Sequence, residues 1–223
     1  MDMKTNITQI NPEDVSASKW AGGVTRQIAI WPPDARYAKR DFEWRLSSAT
    51  VDLEESTFTS LPGFHRILLI LDGAVGVTHK TPLGERHKDL KAFDQDSFEG
   101  SWETTSVGRC VDFNLMLSER CYGSVSVLNG ETDKRIDVFR SPSKTKCVVT
   151  EAFYCLADSF SYCVKEKGFK IEFGRSATIH KGGALLLQRA FSESELYLEV
   201  ELNIDASPNR GEWGVRATVV SPF

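Results

Sequence analysis

The sequence predicts an all-β fold built as two small antiparallel β-barrels. Short apolar runs follow one another along the chain, separated by Gly, Pro, Asn or Asp, which is the spacing of strands in a sandwich or barrel. Several of these runs alternate apolar and polar residues with a period of two, the pattern of a half-buried strand. No sustained helical period is present; Ala152 to Phe160 comes nearest to one and is short. The chain of 223 residues, 41% hydrophobic and 26% charged, carries ample material for a core. A change of texture between Arg120 and Asn129 marks the seam, giving a first barrel over residues 1–124 and a second over 125–223.

Asn6 to Ile10 reads as a first short strand, and Asn11-Pro12 opens a polar stretch that ends at Ser18-Lys19. Gly22 and Gly23 follow Trp20 and feed an extended run from Val24 to Trp31, stopped by Pro32-Pro33. Two readings of the glycine pair stand: a turn into the strand, or a close approach that brings Arg26 against a bound anion. It is not a phosphate-binding loop, since no Gly-Lys-Ser/Thr and no helix follows. Pro32 to Arg40 is a loop. The next strand puts Phe42, Trp44 and Leu46 on one face and Glu43, Arg45, Ser47 and Ala49 on the other.

Ser56 to Gly63 supplies turn residues, and the Leu-rich run from His65 to Val77 reads as a buried strand turning at Asp72-Gly73 into a partner. His79 to Lys91 is polar and reads as an exposed hairpin, Phe93 to Gly100 as a turn-rich return, and Trp102 to Ser106 alternates weakly. Gly108 to Leu117 is a good strand, with Val111, Phe113 and Leu115 opposite Cys110, Asp112, Asn114 and Met116. Asn114 on so apolar a strand needs hydrogen-bond partners if buried. The pattern then begins again, with runs at 122–130, 135–140, 146–160, 162–167, 169–174, 177–190, 195–204 and 213–220.

The charge balance of 27 basic against 31 acidic residues, net −4, provides no field to draw a nucleic-acid backbone. No apolar run is long enough for a membrane span, and the amino terminus lacks the basic start and apolar core of a signal peptide. Neither nucleic acid nor membrane is therefore expected as a partner, and a cytoplasmic location is. The five cysteines, Cys110, Cys121, Cys147, Cys155 and Cys163, contain no Cys-x-x-Cys pair and read as reduced, mostly buried thiols.

The four histidines, His65, His79, His87 and His180, are scattered, and no His-x-His places two metal ligands on one strand face. His79 and His87 flank a polar loop and read as solvated. No Gly-x-Ser-x-Gly elbow is present, and thiols in apolar strands are inert. What remains is arginine in apolar company: Arg26 after the glycines, Arg45 after Trp44, and Arg66 before a run of Ile and Leu. A buried guanidinium is costly unless paired. Two arrangements satisfy it, an internal ion pair with Glu43, Asp52 or Asp112, or a carboxylate ligand held bidentately.

Taken together, Trp20-x-Gly22-Gly23-x-Thr25-Arg26-x-Ile28, Phe42-x-Trp44-Arg45-Leu46-Ser47-x-Ala49-x-Val51, Phe58-x-Ser60-x-Pro62-Gly63-x-x-Arg66, Phe98-x-Gly100 and Asp112-Phe113-Asn114-x-Met116 resemble the ordered motifs of the bacterial HutD/Ves family. The resemblance implies a bicupin of the RmlC-like cupin superfamily. It implies a binder without metal or other cofactor, associated with histidine utilisation, that holds a small acidic metabolite such as urocanate or formylglutamate in the first cupin. By the same resemblance the pocket draws on Trp20, Arg26, Trp44, Arg45, Ser47, Arg66 and Asn114. Phe98, with Trp20 or Trp44, would add an aromatic wall. His65 departs from the family, which often carries an acidic residue there to orient Arg66. Trp44 and Arg45 leave opposite faces of an ideal strand and reach one pocket only at a bulge or strand end.

The sequence therefore points to a cytoplasmic binding protein for a small anionic metabolite, with Arg45 and Arg66 as charge partners and no catalytic residue. The alternative is a cupin enzyme, a metal-dependent oxygenase or an isomerase, acting on a small acid or sugar. A third reading has the arginines closed by internal ion pairs and no ligand. A homodimer through the second barrel is compatible with each.

Overall fold

The structure, a computed structural model, describes residues 5–133, 135–139, 146–166, 175–191, 200–206 and 211–222. The expected run at 169–174, and that at 195–204 as far as 199, lie outside the described residues. Among the described residues no helix is long and apolar enough to cross a membrane.

The chain forms two compact units, Val15–Cys121 and Met1–Asp14 with Tyr122–Phe223. The division differs from the predicted 124/125 boundary chiefly at the amino terminus. Strand β1 (Asn6–Ile10) pairs antiparallel with residues 184–188 of the carboxy-terminal half, Ile7 opposite Leu187. Ile7 packs against the apolar cluster there, and that burial decides which unit the strand joins.

The Val15–Cys121 unit contains β2 (Ser16–Trp20), β3 (Gly23–Trp31), β4 (Trp44–Val51), β5 (Glu55–Thr57), β6 (Phe64–Thr81), β7 (Gly84–Lys91), β8 (Gln95–Glu99), β9 (Glu103–Val107) and β10 (Cys110–Ser118). Their order is β2-β3-β4-β10-β6-β9-β5, with β7 and β8 also paired to β6. Strand β6 curls the sheet, because its first part pairs with β10 and β8 and its second with β7 and β9. Asp72-Gly73, expected to reverse the chain, instead bends this one strand. Gly73 sits at a φ of 80° opposite a register shift between Val111 and Asp112, and a side chain there would meet the Arg109 carbonyl oxygen. The reversal comes later, where Thr81 pairs with Gly84. Strands β2 and β8, read from sequence as a polar stretch and a turn-rich return, carry little apolar pattern and are held by their partners β3 and β6.

The other unit holds β1 with β11 (Tyr122–Asn129), β12 (Arg135–Val138), β13 (Cys147–Cys155), β14 (Ser159–Glu166), β15 (Arg175–His180), β16 (Ala184–Phe191), β17 (Val200–Ala206) and β18 (Glu212–Pro222). One sheet runs β1-β16-β13-β18-β11 and the other β12-β17-β14-β15. They enclose a core that includes Phe153 and Leu187 from the first sheet, Phe160 and Ile179 from the second, and Trp213. The whole is a bicupin, two barrels of antiparallel strands.

Candidate functional site

Three neighbouring strands of the Val15–Cys121 unit set the site by register alone. Arg45 on β4 lies opposite Met116 on β10, and Met116 opposite Arg66 on β6, so the two arginines flank one methionine on a single rung. The next rung is Ser47, Asn114 and Leu68, and the one after it Ala49, Asp112 and Ile70. Side chains two residues apart share a face, so β4 turns Arg45, Ser47, Ala49 and Val51 to the barrel interior. On β6 the same face carries Phe64, Arg66, Leu68 and Ile70, a polar group set into an apolar row. The cavity above these rungs has a volume of about 240 Å³.

Both guanidiniums are buried, Arg45 4% and Arg66 7% exposed. Arg45 lies over the Tyr37 ring at 4.4 Å, and Arg66 stands between the Phe58 and Phe98 rings at 5.3 and 5.2 Å. Aromatic faces thus cover the flat sides and leave the N–H edges for planar recognition. Arg45 donates from Nε to Gln27 Oε1 at 2.9 Å and from Nη1 to Ser47 Oγ at 3.0 Å, both neutral acceptors. Arg66 Nε has no partner. Among the described residues no carboxylate lies within ion-pair distance of either arginine. Burial lowers both pKa values, Arg45 to about 10.

The candidate acids are placed elsewhere or left short. Glu43 pairs with Arg120 and accepts from Ser118, and Asp52 accepts from Thr50. Asp112 lines the cavity without closing a salt bridge. Burial pushes its carboxyl up to about 7, against the pull of Arg66, the Ala49 N–H and Arg45. Four buried polar atoms of the lining make no hydrogen bond: Trp20 Nε1, Arg66 Nε, Asp112 Oδ1 and Asn114 Oδ1. Each such atom costs on the order of 1–3 kcal/mol, and all four belong to residues that line one cavity.

Of the sequence-predicted residues, the structure brings Trp20, Arg45, Ser47, Arg66 and Asn114 to the cavity wall. Phe98 supports Arg66 from behind. Trp44 and Arg26 do not join them. Trp44 is buried on the opposite face of β4, because no bulge interrupts the strand there. Arg26 is exposed on β3. The glycine pair serves another purpose: a side chain at Gly22 would strike the Trp20 ring, and one at Gly23 the Thr50 carbonyl. Gly22 therefore lets Trp20 fold over the cavity, and Gly23 lets β3 approach β4.

Sequence reading missed Tyr37, Phe58, Asp112 and Met116 as lining residues. The alternation on β10 already placed Asp112 and Met116 with Asn114. Nothing local announced Tyr37, which a short 3-10 turn in the Pro32 to Arg40 loop delivers.

His79, read as solvated, is completely buried, between Asp96 Oδ2 at 2.8 Å and Thr104 Oγ1 at 2.9 Å, with its ring against Phe98. Phe98 thus carries Arg66 on one side and a fixed imidazole nearby. His65 faces outward, bonded to Glu99 and Ser97, so the residue before Arg66 does not orient it. The cavity wall holds one carboxylate and neither histidine nor cysteine, which is not a metal donor set. Among the described residues no group of three or more His, Cys, Asp or Glu is placed to hold a metal.

The family model described as HutD matches residues 12–199 of this chain. Protein Ves of Citrobacter koseri is 31% identical over 137 residues, a match covering 59% of this chain and 65% of that protein. The chain thus spans just under two thirds of that relative's length. HutD from Pseudomonas fluorescens superposes with a TM-score of 0.64 at 20% identity, over 98% of this chain and 100% of that one. The oxalate decarboxylase of Lactobacillus farciminis gives 0.57 at 8% identity, over 96% and 86%. At such identities the two structures establish a shared fold, that of the cupins.

Proposed function

This chain belongs to the HutD family, whose model it matches over residues 12–199, and from that premise we propose that it is a cytoplasmic binding protein for a small carboxylate. The cavity of the Val15–Cys121 unit takes the ligand. One observation carries the reading: two buried guanidiniums, flanking Met116, whose N–H edges meet no acid among the described residues. A structural role would have paired them. Arg45 and Arg66 hold the carboxylate through charge-assisted bonds, with Trp20 in the cavity wall. The acids to try first are urocanate and formylglutamate, in keeping with a role in histidine utilisation.

The test is a thermal-shift series with small carboxylates, followed by calorimetry of those that act. A ligand at a hundred times its dissociation constant stabilises by about 2.7 kcal/mol, which for this chain length raises the melting temperature by several degrees. Arg45→Ala and Arg66→Ala are expected to fold and to lose the shift. A protein that responds to no carboxylate, or variants that fold and keep the response, would overturn the proposal.

A further inference from the structure

Asp112 is the acid of the cavity wall, and an arriving anion opposes it. It sits on β10 two rungs beyond Met116, with Ala49 and Ile70 beside it, and the rung between is Asn114 with Ser47 and Leu68. No cation therefore flanks it on its own rung, and it is buried. What favours its ionised form is the field of Arg66 and Arg45, the guanidiniums of the same cavity, together with one N–H from Ala49. The other ionisable groups about it are Lys19 of β2 and Tyr37 of the 3-10 turn, which line the cavity, and Cys110 two residues before it on β10. His79 lies farther off, its ring against Phe98.

A carboxylate held between Arg45 and Arg66 draws to itself the positive charge that favours ionised Asp112, and it adds a negative charge to the same cavity. Two carboxylates in one buried site disfavour each other's ionised form. Resting on the binding reading above, we propose that the cavity takes up a proton from solvent at Asp112 as it takes up the ligand, so that affinity falls as pH rises and the acid is released on the alkaline side. Burial pushes the carboxyl of the empty cavity up to about 7. Below that pH the proton is already in place and binding draws none. Above it the empty cavity carries a carboxylate, and binding draws a proton until the pH passes the still higher value that Asp112 has in the complex.

The test is calorimetry on the full chain with formylglutamate and with propionate, both ionised from about pH 6 upward. Each titration is run in two non-carboxylate buffers of different ionisation enthalpy, which counts the protons taken up. Uptake is expected near zero at about pH 6 and at most of one proton at about pH 8, with affinity about tenfold lower at about pH 8.5 than at about pH 6. Asp112→Asn keeps the shape and an acceptor for the Ala49 N–H, and should bind with an affinity flat over that range and no uptake. Should it not fold, the proton count of the parent decides by itself. Binding by the parent without pH dependence or uptake, or a folded Asp112→Asn that keeps both, would overturn the inference and leave the anion pocket standing. So would a dependence confined below about pH 6.5, which would place the proton on His79. Binding of neither acid at millimolar concentration at any pH would overturn both.

Discussion

Arg66 is difficult to justify by stability. It stands between Phe64 and Leu68 in the inward row of β6, with its Nε unbonded, where a thioether of similar length would fill the space without a buried charge. Arg66→Met is therefore expected to raise the melting temperature of the unliganded protein, by on the order of 1 kcal/mol of stability, while abolishing carboxylate binding. A lower melting temperature would mark Arg66 as structural. Asp112 gives a second prediction. Its folded pKa of about 7 lies above the ordinary carboxyl value, so the folded state keeps a proton that the unfolded chain has released. That contribution is fully present below about pH 4 and is lost as pH rises through about 7. His79 works in the opposite sense, since burial lowers its pKa and its contribution is lost as pH falls below the ordinary imidazole value. Melting curves of Asp112→Asn against pH should lose the first dependence and retain the second.

Among the strands, the two glycines before β3 make a discriminating pair. At Gly22 an added methyl meets the outer edge of the Trp20 ring, which can swing away, whereas at Gly23 it meets fixed backbone at Thr50. Gly22→Ala is thus expected to fold and to bind carboxylates more weakly. Gly23→Ala is expected to cost about 1–3 kcal/mol in chemical denaturation by forcing β3 off β4. The element pattern itself was readable where alternation was clean. Parity gave the two faces of β4 and β10, and the family resemblance pointed to Arg45, Ser47 and Asn114. Parity also counted against Trp44, and the structure agrees. Strand β6 was misread at Asp72-Gly73 because a glycine at positive φ serves a hairpin and a bulge equally well, and only the partner strand decides between them.

A partly exposed arginine of the second unit, Arg216, is treated differently from Arg45 and Arg66. In the second unit Arg216 Nε and Nη2 donate to Glu151 at 2.8 Å each, and Thr218 donates to the same carboxylate at 2.7 Å. That arginine is closed by the protein's own acid, whereas Arg45 and Arg66 meet none among the described residues. Glu151→Ala should destabilise the protein by about 1–3 kcal/mol, the cost of leaving Arg216 and Thr218 without their acceptor, and leave carboxylate affinity in the first barrel unchanged. Loss of binding with an intact fold would place the site wrongly.

At this scale the sequence alone determined the all-β class and the doubling of the barrel, because strand period and turn chemistry are local properties, and its ordered motifs carried the resemblance to the family. Only the tertiary structure decided that β1 completes the second unit, that Arg26 faces solvent and His79 the core, and that Asp112 lines one cavity with two guanidiniums that form no ion pair among the described residues. Those outcomes depend on which strands become neighbours and in what register, and register is fixed by burial summed over the whole sheet.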